Sequence, residues 1–262
     1  MSEIASRPRV RSISATAASS PVVTASALFA TAWRSLSTAA RAAYSAGTPV
    51  PHLASGEISA RPVFVRAPVS LPASLPAPEK IKVAALRVLA SGNCVVDPDG
   101  GWRARLETLQ SARTEAEAVE ARHALFTALE QSHSNLFART LSQACVRASA
   151  AAGFTRLEET HASPVLRLVA SDADGRALVS EIRSNPQGEF DLATEVVGVS
   201  DGSCHAILDR FDRALDQQGV RGGPPERRST GGVCQMPASR DAASRSRRKR
   251  LLAGNADAKV RA

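Results

Sequence analysis

The chain has 262 residues, of which 44% are hydrophobic and only 4% aromatic, so it has room for one or two domains but a large part of it is expected to lie outside a core. Charge is unevenly placed: residues 1–80 carry +5, residues 81–220 carry −5 and residues 221–262 carry +8, so the net charge of +8 comes from the two ends. No apolar run reaches the roughly 18 residues of a membrane span, and Cys94, Cys145, Cys204 and Cys234 form no C-x-x-C pair, which excludes a zinc ribbon or a disulfide-dense secreted domain and makes a reducing cytoplasm the expected compartment.

Residues 1–25 are small, polar and basic with no apolar period, and are expected to be disordered. The same stretch has no acid between Glu3 and Glu57, the composition of an organelle transit peptide, although a disordered bacterial tail fits it better. A helix is expected over residues 26–46, because Phe29, Trp33, Leu36, Ala40 and Tyr44 recur at helical spacing. The core of the same chain is the expected cover for that stripe, ahead of a partner helix or a membrane surface. Pro49, Pro51, Pro62, Pro68, Pro72, Pro76 and Pro78 then make an extended linker. Residues 1–78 thus read as disordered or linker chain around one helix.

Residues 79–133 read as a helical region. A short helix is expected over 79–90, and NCVVDPDGGW reads as a strand entering a tight turn, with Asp97 and Asp99 serving turn chemistry rather than calcium. Residues 103–131 lack Pro and Gly and form one long helix or two short ones, with Leu106, Leu109, Val119, Leu125, Phe126 and Leu129 on the apolar side.

Residues 134–220 read as a compact α+β domain. A helix over 134–152 presents Phe137, Leu141, Ala144, Cys145 and Ala148, and ends at Gly153. Four strand-like runs follow, at 154–158, 165–171, 177–183 and 189–198. The alternation of Leu166 and Leu168 with Arg167, and of Leu178, Ser180 and Ile182, predicts an antiparallel sheet with one covered face. A helix over 201–218 closes the domain, with Asp209, Arg210, Asp212, Arg213 and Asp216 as its wet face. The fold class is α+β: a helical region, then a small antiparallel sheet flanked by helices, with disordered basic termini. Residues 221–262 are the second of these.

One short stretch has the spelling of an active site. GVSDG at 198–202 matches the G-x-S-x-G elbow of serine hydrolases, and Cys204 and His205 follow it. The triad needs a histidine and an acid from later loops of a large sheet, yet His205 is the only histidine after Ser200, and it sits on the same helix. Cys204, Ile207, Leu208, Phe211 and Leu215 fall on a single helical face. Cys204 therefore points inward, and His205 is turned about 100° away from it. Ser200 and Asp201 read as helix-capping residues, and Gly198 and Gly202 as turn-making ones. No phosphate loop, dinucleotide fingerprint or H-E-x-x-H is present, and His52, His123, His133 and His161 lack ligand spacing. No catalytic, cofactor or metal site is assigned. The remaining candidate is the run SRSRRKR, in which Arg245, Arg247, Arg248, Lys249 and Arg250 would contact a polyanion, without the interleaved aromatics that stack on bases.

The segment ACVRASAAAGFTRLEE (144–159) resembles the end of an uncharacterised bacterial and plastid family, and 188–220, with Gly188, Gly198, Cys204 and Gly219, is similar to a second small family. Both are domains of unknown function, often encoded near MoxR-type ATPases. The resemblance implies a non-enzymatic accessory or adaptor role through protein–protein interaction, with an AAA-type ATPase as the partner. Nucleic-acid binding through the Arg-rich tail is the alternative.

Overall fold

The computed structural model describes residues 3–18, 23–24, 28, 33, 36, 38, 40–41, 56–62, 64, 71–91, 94–162, 165–185 and 188–260. The expected helix over 26–46 lies largely outside them. The architecture is α+β, with two compact units: Met1–Ala17 together with Ala138–Ala262, and Ala18–Phe137. The strands are β1 (Glu3–Val10), β2 (Ser12–Ser14), β3 (Val23–Thr24), β4 (Glu57–Ser59), β5 (Val95–Val96), β6 (Arg156–Ala162), β7 (Val165–Ser171), β8 (Ala177–Ser184), β9 (Phe190–Val197) and β10 (Glu226–Ser229). The helices are α1 (Ala77–Ser91), α2 (Trp102–Ser111), α3 (Glu115–Ala151), α4 (Cys204–Gln217) and α5 (Pro237–Val260).

In the Ala18–Phe137 unit, α1, α2 and the first part of α3 enclose a core that includes Leu86, Leu89, Trp102, Leu106, Leu125 and Leu129. Leu36 and Ala40 of the expected stripe are buried in it, as is Leu28, and Trp33 packs against it, so this part of the stripe is covered by the chain's own core. The run after Trp102 divides at residues 112–114, where Thr114 and Glu117 form a capping box. The Thr114 hydroxyl accepts from the Glu117 amide at 3.3 Å, and Glu117 Oε2 accepts from the amides of Arg113 and Thr114 at 2.8 and 3.2 Å. Val119, expected inside, is 44% exposed, while Ala118 and Ala121 are buried. Asp97 makes a turn as expected, accepting from the Asp99 amide at 3.1 Å. That turn is tied to α3: Ser132 Oγ accepts from the Asp97 amide at 3.2 Å, and Trp102 Nε1 donates to the Asp97 carbonyl at 2.9 Å. Beside it, buried His133 accepts from the Val95 amide at Nδ1 (3.1 Å) and donates from Nε2 to the Ser59 carbonyl (2.8 Å). Burial lowers its pKa, so the ring is neutral and structural. Helix α3 runs unbroken through the expected start of a new helix at Ser134.

The other unit is built on a six-stranded antiparallel sheet in the order β10-β1-β9-β8-β7-β6. Its two edge-side additions correct the expectation of disordered ends: β1 pairs with both β9 and β10. The residues of β1 on the helix-covered side are Glu3, Ala5 and Arg7, all buried. Two of the three are charged, so the strand carries no hydrophobic alternation to read. On that side the sheet meets α4 and the end of α3, where Leu141, Ala144, Cys145 and Ala148 are buried. Gly153, at φ +99°, ends α3, and the amide of Phe154 reaches back to the Ser149 carbonyl at 2.9 Å. Gly219, at φ +75°, ends α4, and a Cβ there would lie 2.5 Å from the Ser14 Cβ.

The second face is also covered. In β8 every residue from Ala177 to Ile182 is buried, not only alternate ones. The cover is α5, which arises within the segment expected to be a disordered tail. Ala177, Val179 and Val197 of the sheet pack with Met236 and Ala242 of this segment, flanked by Ile4, Val169, Ala193, Cys234, Ala238 and Ala243. The helix has a mostly polar composition with a narrow stripe of small residues, which is why its sequence carries so little apolar period.

Candidate functional site

The elbow-like segment runs from the end of β9 into α4. Gly198 has φ +82°, Val199 is buried, and Ser200 is exposed. Asp201 Oδ1 accepts from the Ser203 amide at 3.0 Å, closing a turn before the helix begins at Cys204. Asp201 therefore serves the turn ahead of the helix and not its cap: the N-cap position is Ser203, with no side-chain cap hydrogen bond, in place of the expected Ser200 and Asp201, and Gly202 (φ +78°) makes the turn. Gly198 has a second reason to lack a side chain: a Cβ there would lie 2.9 Å from Ser246 Oγ of α5 and 3.3 Å from the Gly175 carbonyl.

Cys204, Ile207, Leu208, Phe211 and Leu215 are all buried on one face of α4, as the spacing predicts. Burial pushes the Cys204 thiol up, and the nearby Glu3 carboxylate pushes it further, so at neutral pH it is a protonated thiol and a poor nucleophile. His205 is exposed and its Nδ1 lies 2.9 Å from Glu3 Oε1, whose side chain is only 4% exposed. The imidazole thus lies against a buried carboxylate. Cys94 and Cys145 are buried thiols pushed up to about 12 by desolvation.

The expected wet face of α4 needs one correction. Asp212 is buried, because Arg7 of β1 and Arg227 of β10 converge on it, with Arg7 Nε at 3.3 Å from Oδ1 and an Arg227 Nη at 2.9 Å from Oδ2. Arg7 also reaches Asp216 at 2.9 Å and Arg227 reaches Asp209 at 2.7 Å. Two arginines from strands in the expected disordered ends thus clamp three aspartates spaced along one helix face. The aspartate spacing was legible, but the arginines were 200 residues away on one side and beyond Gly219 on the other.

On the opposite face, Glu195 is fully buried and accepts from the backbone amides of Gln235 (3.0 Å) and Met236 (3.1 Å), at the approach to α5. Glu181, also fully buried, is held between Arg167 at 2.9 Å and Arg183. The polyanion candidates divide. Arg245 pairs with Glu158 of β6 at 2.7 Å, while Arg247 and Arg248 are exposed on α5. The side chains of Lys249 and Arg250 lie outside the described residues.

Among the described residues no group of three or more His, Cys, Asp or Glu side chains is placed to hold a metal ion, and no helix is long and apolar enough to cross a membrane. No protein-family model, curated protein or solved structure matches the chain.

Proposed function

We propose that the protein is a non-enzymatic accessory or adaptor protein that acts through protein–protein contact. The observation that carries this reading is the state of the elbow-like segment. Its thiol is buried and protonated, its histidine is engaged with Glu3, and its glycine and aspartate serve the turn into α4 and the passage of α5. The partner class is a MoxR-type ATPase, on the strength of the family resemblance of residues 144–159 and 188–220.

A second reading is favoured by one observation: Arg247 and Arg248 stand exposed on one helix in a chain end of net charge +8. Such a surface would bind nucleic acid through phosphates, with affinity that falls steeply as salt rises. The two are separated by affinity capture from the native host, using the full chain and its R247E/R248E variant at low and high salt. Retention of an ATPase by both chains at high salt is the expected result. Nucleic acid captured only by the unsubstituted chain, and only at low salt, would replace the adaptor reading with the second one.

A further inference from the structure

We propose that the outer edge of β6 is a self-association surface, where a second copy of the chain adds its own β6 antiparallel about a two-fold axis at Leu157. This goes beyond the adaptor reading and does not depend on it.

The six-stranded sheet has two edges, and they differ in how they are guarded. Strand β10 is four residues long and follows directly on Pro224 and Pro225, features that discourage a further strand from pairing. Strand β6 pairs only with β7, through seven consecutive residues with no proline and no bulge, so its outer edge is straight and long enough to template another strand. All four residues from Arg156 to Glu159 are exposed, on both faces of the strand. Leu157 is 41% exposed, and among the described residues it is the only exposed large apolar side chain on a strand.

The side chains decide which strand fits. Alternation puts Arg156 and Glu158 on the α5 side, where Glu158 meets Arg245, and Leu157 and Glu159 on the α3 side, where Glu159 accepts from Ser142 at 3.5 Å. Two copies related by an axis normal to the sheet keep these sides matched only when the axis passes through a residue position. At Arg156, Glu158 or Glu159 it would set like charges directly opposite each other, which destabilises a strand pair. At Leu157 it sets leucine against leucine, with Arg156 of each copy opposite Glu158 of the other. The edge is therefore self-complementary, as an isologous contact requires. Leu157 lies opposite Ala170 of β7, which is 1% exposed, so the paired leucines would extend the apolar side of the sheet. Arg156 has no ion-pair partner among the described residues. Both members of the Glu158–Arg245 pair are more than half exposed, so Glu158 can take a second arginine at little cost.

The test is analytical ultracentrifugation of the full chain over a concentration series. A contact of this size is weak, so the series runs to high micromolar protein. The unsubstituted chain should pass from one copy to two as concentration rises, and no further. R156E sets glutamates opposite each other in both pairs, and E158R sets arginines opposite each other, so each alone should raise the dissociation constant on the order of tenfold. Mixed in equal amounts, the two variants place arginine opposite glutamate in both pairs, and they should associate with each other about as tightly as the unsubstituted chain. All the substituted side chains are exposed, so the variants keep the fold. A chain that stays single at the top of the series overturns the proposal. So does association that R156E and E158R leave unchanged, a mixture that fails to recover it, or growth beyond two copies. No partner protein or nucleic acid enters the experiment, so its outcome is separate from that of the adaptor reading.

Discussion

Helix α4 buries Ile207, Leu208, Phe211 and Leu215 against one face of the sheet, whereas α5 meets the other face through Met236 and a stripe of alanines. A fully buried large apolar side chain contributes roughly 1.5–3 kcal/mol and a methyl about 0.8, so α4 is held chiefly by area and α5 by much less of it. What α5 lacks in apolar area it replaces with local polar contacts, Glu195 at its start and Glu158 farther along. The polar contacts of α4 are different in kind, because Arg7 and Arg227 reach Asp212 from neighbouring strands inside the protein. One sheet thus has a face closed by large apolar side chains and a face closed by a helix with few large anchors.

The largest contrast between the two helices should appear in thiol labelling. Cys204 at the start of α4 is buried, and Cys234 just before α5 is half-buried. An Ellman-type reagent should modify Cys234 in the native chain, more than about a thousandfold faster than Cys204, which waits for unfolding. Burial pushes both thiols up, so both rates should keep rising with pH beyond the ordinary thiol range. Comparable rates in native buffer would remove the distinction between the faces.

Phe211→Ala should destabilise the chain by about 3–5 kcal/mol in urea unfolding, because its ring is fully buried on α4. A loss below about 1 kcal/mol would show that the α4 face relaxes as readily as the α5 face. Arg7→Ala should cost about 2 kcal/mol, less than the usual penalty for breaking a buried ion pair, because Arg227 remains beside Asp212. Adding Asp212→Asn should recover part of that loss in the same unfolding assay.

Gly198→Ala combines a left-handed backbone with a close approach to Ser246, and should cost about 1–3 kcal/mol. Hydrogen exchange should show the loosening in α5 more than in α4. The smallest effect belongs to Arg245→Ala. Both partners of the Arg245–Glu158 pair are more than half exposed, so the loss should stay below about 1 kcal/mol and shrink further with salt.

The parts of the fold that sequence spacing identified are those in which large apolar residues repeat with the period of their element. The faces of α4 and of the end of α3 are of this kind, as are β7, β8 and β9. The burial of Cys204 follows from the same spacing. Strand β1 escaped because its inward positions are Glu3, Ala5 and Arg7, and α5 because its inward positions are mostly alanine and serine. In both cases an inward face of charged or small residues leaves no apolar period in the sequence. The capping box at Thr114 and Glu117 was present in the sequence as T-x-x-E, and it marks the break between α2 and α3.

By itself, then, the sequence determined the α+β class, the order of the central strands, and the inward direction of the α4 thiol, because local periodicity dictates which side of each element leaves water. Only the tertiary structure decided that the two chain ends return to one sheet, that Arg7 and Arg227 bury Asp212, and that Glu195 receives the amides leading into α5. Those outcomes depend on charged groups finding partners far away in the chain. A charge is tolerated inside only when its partner arrives with it, and no local pattern records where that partner will come from.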